Sequence, residues 1–282
     1  MADDITVKDG LIYGGWRRPA NPAAHLVGSI HDDAMAQKLG MRGGTVGGNN
    51  HLELFPPLVL KAFGPRWFER GSVSIYFLDP TLDREEVRAV MGVPPEGVKD
   101  AQVVAWIERP DGRKIGEGTV AVGDPDVLSA LHARKLDRYE SEPPRLLAHL
   151  KAGDELPSVE VTIPQETERR LELITDRLAW YTGDSPWGGP IATASNTIFA
   201  MAARVQVEAV ALYGAIELRN VNGPAKVGVP YRAGGKVAYV GTSPKTEYFW
   251  HDSYLDDIAT GKRVVEMRML LRYMKLSSAL YQ

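Results

Sequence analysis

Apolar positions along the chain recur in two registers, and the pair of registers occurs twice. Between residues 52 and 63, Leu52, Leu54, Phe55, Leu58, Val59, Leu60, Ala62 and Phe63 fall at helical spacing. Pro56 and Pro57 lie near the start of this stretch and predict a helix that is shortened or kinked there. Apolar and β-branched runs then predict strands over 72–78, 85–92, 101–109 and 114–122. The second helical register covers Ile198 to Tyr213, with Met201, Val205, Ala209 and Leu212 on one stripe. It precedes predicted strands over 225–231, 236–240, 245–253 and 263–274. Asp111-Gly112 and Thr260-Gly261 read as hairpin turns, where glycine accepts the backbone that a tight turn needs. Each half is therefore expected to be α+β, one helix followed by an antiparallel meander. Such a helix buries its apolar stripe only by lying across the concave face of its sheet.

Three weak matches support a repeat. Gly43-Gly44-Thr45-Val46 faces Gly188-Gly189-Pro190-Ile191, Arg70-Gly71 faces Asn222-Gly223, and Asp111-Gly112 faces Thr260-Gly261. All three keep the same order at a separation of about 150 residues, the signature of a tandem unit. The predicted division is residues 1–123, a linker over 124–165, and residues 166–282. The linker holds Pro125, Pro143, Pro144, Pro157 and Pro164 among many charges, with short helices expected over 126–139 and 144–151.

Composition narrows the function. The 282 residues are 44% hydrophobic and 24% charged, with net charge −3, which fits a folded globular chain. There is no basic excess to bind a phosphate backbone, so no nucleic-acid partner is expected. The absence of Cys excludes thiol nucleophiles and Cys-ligated metals. The acidic start and the lack of a long uninterrupted apolar run predict a cytoplasmic chain with no leader and no membrane partner.

The stretch Ile30-His31-Asp32-Asp33-Ala34-Met35-Ala36-Gln37-Lys38-Leu39-Gly40 resembles the segment of MaoC-like (R)-specific enoyl-CoA hydratases that follows their Asp-x-Asn-Pro-Ile-His motif. Trp180-Tyr181-Thr182-Gly183-Asp184-Ser185-Pro186-Trp187 is similar to the motif region in the second half, and Leu271-Arg272-Tyr273-Met274-Lys275 to the last strand. The resemblance covers about residues 15–123 and 170–278 and implies a double hotdog, each half a central helix wrapped by an antiparallel sheet. It implies a lyase that adds or removes water beside an acyl thioester, a CoA ester for instance, or a related α,β-unsaturated carbonyl. In that chemistry an Asp and a His hold one water as general acid and base, and N–H groups at the helix start hold the oxygen that gains enolate charge. The chain departs from the pattern in both halves. Leu26 stands at the Asp position before His31, and Gly189 at the His position after Asp184. Gly47-Gly48 and Ala192-Thr193 replace the His-Gly at the helix start.

Asp184, His31 and His51 are accordingly the candidate catalytic residues. Gly47, Gly48, Asn49, Asn50, Glu53, Trp187, Gly188 and Ser195 are the candidate substrate-binding residues. Each has a plainer reading. Asp184 suits a turn or cap, Asn49 and Asn50 an N-cap, and the aromatics around Asp184 a core. Three outcomes stay open: a hydratase or dehydratase; a hotdog repurposed to bind or convert a non-CoA molecule; and a thioesterase in which Glu53 or Asp184 activates water. His25, His31 and His51 lack any metal-ligand spacing, and the glycines at 43, 44, 47 and 48 lack the Gly-Lys ending of a phosphate loop. No metal or cofactor is expected, and a homodimer is the expected assembly.

Overall fold

The computed structural model describes residues 4–137 and 142–281. Eleven antiparallel strands form one sheet: β1 (Thr6–Lys8), β2 (Leu11–Tyr13), β3 (Gly71–Phe77), β4 (Arg88–Gly92), β5 (Ala101–Glu108), β6 (Lys114–Val122), β7 (Glu155–Thr162), β8 (Ala211–Asn220), β9 (Pro230–Thr242), β10 (Thr246–Asp257) and β11 (Arg263–Met274). Their order is β1-β2-β4-β5-β6-β3-β8-β11-β10-β9-β7. Outward from the β3–β8 joint both directions repeat one connectivity, so β6 answers to β11, β5 to β10 and β4 to β9. At the joint Ser72 to Tyr76 pair with Arg219 to Ala215, and Ile75 lies opposite Ile216 with both fully buried. The two hairpin turns form between β5 and β6 and between β10 and β11, as their Asp-Gly and Thr-Gly pairs predict.

The helices are short. They are α1 (Asp33–Lys38), α2 (Gly48–His51), α3 (Pro56–Phe63), α4 (Arg66–Arg70), α5 (Glu168–Leu171) and α6 (Ala194–Met201). A 3-10 turn at Leu52–Leu54 links α2 to α3, and Pro56 opens α3 at its first position, where the missing N–H costs nothing. The expected kink is thus a full break. Phe55, Leu58 and Val59 are buried among strand residues such as Ile75, Met91, Ile107 and Ile115. In the second half Ile198 and Met201 of α6 are buried, and the helix packs on β9 and β10.

Three expectations are corrected. The helix over 198–213 ends at Met201. Ala202 is extended, and Ala211–Asn220 is β8, held between β3 and β11. Pairing on both sides outweighs the helix preference of the alanine-rich run. The predicted strand over 225–231 reduces to one bridge from Lys226 to Ile191 and the start of β9, which runs through to Thr242 without a break. The stretch read as a linker contributes β7, paired with β9 at the sheet edge. No helix forms over 126–137 or 144–151, and residues 138 and 139 of that expected helix lie outside the described residues. Leu131 is instead buried on the outer face of the sheet with Tyr248 and Trp250. The Glu217 carboxylate accepts from Ser74 and Ser129 and pins this segment down.

Because β3 and β8 pair across the joint, the halves are expected to unfold as one cooperative unit. Ile216→Ala leaves a void under β3 and β8 and is expected to cost about 3 kcal/mol. Urea unfolding followed by circular dichroism and by tryptophan fluorescence should shift by the same amount and stay coincident. Separate transitions, with one unshifted, would show that the halves unfold independently.

Candidate active-site cleft

Gly47 caps α2, and His31 lies against it: a Cβ on Gly47 would sit 3.7 Å from His31 Cε1 and 2.6 Å from Asn49 Oδ1. A Cβ on Gly48 would meet the Phe77 ring at 2.6 Å, so only glycine lets α2 start this close to β3. His31 Nδ1 is 2.7 Å from the Thr45 carbonyl oxygen. A carbonyl only accepts, so Nδ1 carries the proton and Nε2 bears the lone pair. Nε2 has no hydrogen-bond partner among the described residues. Asn21 holds this loop, its Nδ2 donating to the His31 carbonyl at 2.8 Å.

His31, Gly47, Gly48, Asn49 and Asn50 line one cleft of about 230 Å³, with Asn21, Phe199, Tyr213 and Arg170. A second cavity of about 360 Å³ shares Ile30, Gly48, Leu212 and Tyr213 with it and extends to Thr81, Tyr76 and Arg272. The two cavities adjoin at the start of α2, where β8 has begun at Ala211 but is not yet paired with β3, whose pairing starts at Ala215.

His51 is 3% exposed and has both ring nitrogens engaged. Nδ1 donates to the Gly47 carbonyl at 3.2 Å, and Nε2 accepts from the Thr81 hydroxyl at 2.9 Å. Burial pushes its pKa down to about 4, so it is neutral near pH 7.

Behind the cleft the starts of α2 and α6 face each other. Asn49 Nδ2 donates to Ser195 Oγ at 3.0 Å and to Asn50 Oδ1 at 3.2 Å, and Ser195 Oγ donates to Asn50 Oδ1 at 3.2 Å. Glu53, 2% exposed, reaches across from the first half. Its Oε1 accepts from the Ser195 N–H at 3.0 Å, and its Oε2 from the Tyr181 hydroxyl at 3.2 Å. The carboxylate thus sits at the positive end of α6, where Thr193 caps and Ser195 is the second residue. Burial nevertheless dominates and pushes the Glu53 pKa up to about 7, with the Ser195 and Tyr181 hydrogen bonds opposing it. Thr193 Oγ1 donates to Glu166 at 2.7 Å, and Arg170 lies 3.8 Å from the same carboxylate.

The structure gathers His31, Gly47, Gly48, Asn49, Asn50, His51, Glu53 and Ser195 around the two helix starts. It does not bring Asp184, Trp187 or Gly188 there. Asp184 is exposed on the turn after Tyr181, outside the residues that line either cavity. The reason is the folding of that turn. Ser185 Oγ donates to the Gly189 carbonyl at 2.7 Å, and Trp187 packs with Trp180 on Phe68 while donating to Glu69. Gly188 is exposed in the same turn. Sequence reasoning missed Tyr181 as a partner of Glu53, Asn21 as the support of His31, and Thr81. Asn21 precedes Pro22, a turn signal that marks a fixed loop. Tyr181 lies in the motif stretch around Asp184, but nothing local in the sequence points to Glu53 as its partner, and Thr81 carries no local signal.

No protein-family model and no curated protein matches the sequence. Solved structures match the fold. A protein described as a MaoC-domain dehydratase from Chloroflexus aurantiacus superposes with TM-score 0.67 at 11% identity, over 94% of each chain. A conserved double-hotdog protein of Mycobacterium tuberculosis superposes with TM-score 0.61 at 14% identity, over 96% of this chain and 97% of that one. A MaoC-like dehydratase superposes with TM-score 0.51 at 14% identity, over 92% and 98%. The chain has a double hotdog fold, like that of the MaoC-like dehydratases.

Proposed function

We propose that the recess at the start of α2 is the active site of a lyase of hydratase or dehydratase type, acting on an acyl thioester or a related α,β-unsaturated carbonyl. The observation that carries this is His31, with its Nδ1 proton fixed on Thr45 and its Nε2 lone pair unpartnered, beside the Gly47–Asn50 turn in one cleft. His31 Nε2 takes a proton from water as the water oxygen bonds to the β-carbon. The carbonyl oxygen takes up the enolate charge against the first N–H groups of α2. The imidazolium then returns its proton to the α-carbon, so one water is added and the histidine is restored. Dehydration is the reverse. His51, neutral and held at both nitrogens, keeps Thr81 against α2. Asn49 and Asn50 hold the cleft floor through Ser195.

Glu53 is assigned to the joining of the halves, because both its oxygens are occupied and it lines neither cavity. That weakens the thioesterase alternative. The non-CoA alternative is an outcome of the same experiment. A panel of trans-2-enoyl-CoA esters should lose enoyl absorbance with no release of free thiol. His31→Ala should lower kcat at least 100-fold while keeping the melting temperature. Thiol release would indicate a thioesterase. No turnover of any ester, or a His31→Ala variant as active as wild type, would overturn the assignment.

Glu53 also sets a pH dependence. Its pKa of about 7 in the fold lies above the ordinary 4.5, so the folded state holds the proton more tightly. Between those values the folded chain binds more protons than the unfolded one, and stability falls as pH rises through the window. The difference corresponds to about 3 kcal/mol at most. Glu53→Gln removes the titration, so its stability relative to wild type should improve between pH 5 and pH 8 in urea unfolding. A difference that does not change with pH would show that Glu53 does not titrate there.

A further inference from the structure

The 360 Å³ cavity carries a charge that the hydration chemistry leaves unused. Asp79, His51 and Arg272 line it, together with the phenols of Tyr76 and Tyr213. His51 is neutral near pH 7. Asp79 is matched by Arg109, with which it forms an ion pair, and by Arg113 at 3.9 Å. Arg272 has no carboxylate within ion-pair distance among the described residues. It is partly buried on β11, where it donates to the Tyr76 hydroxyl at 2.8 Å and to Thr246 Oγ1 at 3.3 Å, both neutral. A guanidinium has five N–H donors in a rigid fork, so donors remain free. A second guanidinium converges on the same tyrosine: Arg134 Cζ lies 3.6 Å from the centre of the Tyr76 ring. Arg134 likewise has no carboxylate partner among the described residues. Arg272 in the cavity wall, with Arg134 stacked on the wall residue Tyr76 although not itself lining the cavity, raises the local positive potential in a chain whose net charge is −3.

The geometry points to an anion subsite at Arg272, with Arg134 reinforcing it through Tyr76, so that the ligand of this recess carries a phosphate or a carboxylate at that end. The inference rests on the reading that the recess holds the substrate, and it names the substrate's charge. Hydrogen-bonded guanidinium–anion contacts of this kind are among the stronger polar contacts, and they are stronger still in a partly enclosed wall. The anion has two possible sources. One is the phosphate-bearing carrier of a thioester, and the other is a carboxylate at the far end of the acyl chain.

Calorimetric titration separates them and needs no turnover, so a failed hydration assay would leave the result readable. The first pair of probes is 4′-phosphopantetheine and pantetheine, which differ in phosphate. The second is glutaryl-pantetheine and pentanoyl-pantetheine, which differ in the terminal carboxylate. In the wild type the charged member of one pair should bind at least tenfold more tightly than its neutral partner. The first pair responding assigns the subsite to the carrier phosphate, and the second assigns it to an acyl carboxylate. Arg272→Gln should abolish the preference, and Arg272→Lys should restore part of it. Arg134→Gln changes a residue outside the strands and should weaken the preference severalfold even if Arg272→Gln does not fold. Equal binding within both pairs, or a preference unchanged in Arg134→Gln and in Arg272→Gln, would overturn the inference.

Discussion

The pairing of β3 with β8 is the constraint on which the rest of the molecule depends. Five residue pairs, from Ser72 with Arg219 to Tyr76 with Ala215, turn two meanders into one sheet. The turns that lead into α2 and α6 are then fixed by equivalent contacts. Val46 N–H donates to the Thr81 carbonyl at 2.8 Å, and Ala192 N–H to the Ala225 carbonyl at 2.8 Å. Thr45 bridges to Leu82, and Ile191 to Lys226. Two helix starts tethered in the same way on either side of one joint must face each other. Asn49, Asn50 and Ser195 can bond directly only because they do, although they lie about 150 residues apart in a repeat of this kind.

Facing helix starts put two positive ends close together, and the molecule treats them differently. The start of α6 receives Glu53 from the other half, whose Oε1 accepts from Ser195 N–H. Among the described residues no side chain caps the start of α2, and no carboxylate bonds to it. It opens instead on the recess, with His31 beside it and Phe77 close enough to demand glycine at 48. A buried carboxylate is costly, and burial accordingly pushes the Glu53 pKa up. Tyr181 and Ser195 reduce it by occupying both oxygens.

The strands were legible in the sequence where a single local pattern decided them. The runs at 101–108 and 114–122 and the long β11 match their alternation and their hairpin turns. Failures came where pairing partners far along the chain decided the outcome. Ala209, Leu212 and Tyr213 continue a helical stripe from α6, yet β3 and β11 claim the chain from Ala211 onward. Ser277 Oγ takes the Val210 N–H, which ties the intervening stretch to the end of β11 rather than to another helical turn. The candidate site divides in the same way. Residues 47–50 were found because glycine and asparagine clusters before an apolar run carry a local meaning. Asp184 was chosen from a motif, but its turn is shaped by Trp187 packing on Phe68 of the first half, a contact invisible in the local sequence. Tyr181 was read only as one of the aromatics around Asp184, because its partner, Glu53, lies in the other half.

Under the proposed hydration chemistry, the asymmetry between the two helix starts accounts for the incomplete Asp and His pair in each half. A repeated chain has two equivalent loops, and Glu53 occupies the start of α6, whereas the start of α2 lines a cleft. On that proposal the turn carrying Asp184 is free of catalytic demand, and Asp184 is exposed there. The proposal leaves the demand on the loop carrying His31, which is held by Asn21 on its carbonyl and by Thr45 on its ring. A histidine with a fixed tautomer can move a proton both ways without a second group, because the same nitrogen that accepts it can return it. Leu26, where an acid would stand in the related pattern, is half exposed and lines neither cavity, so nothing in the recess has been vacated by the change.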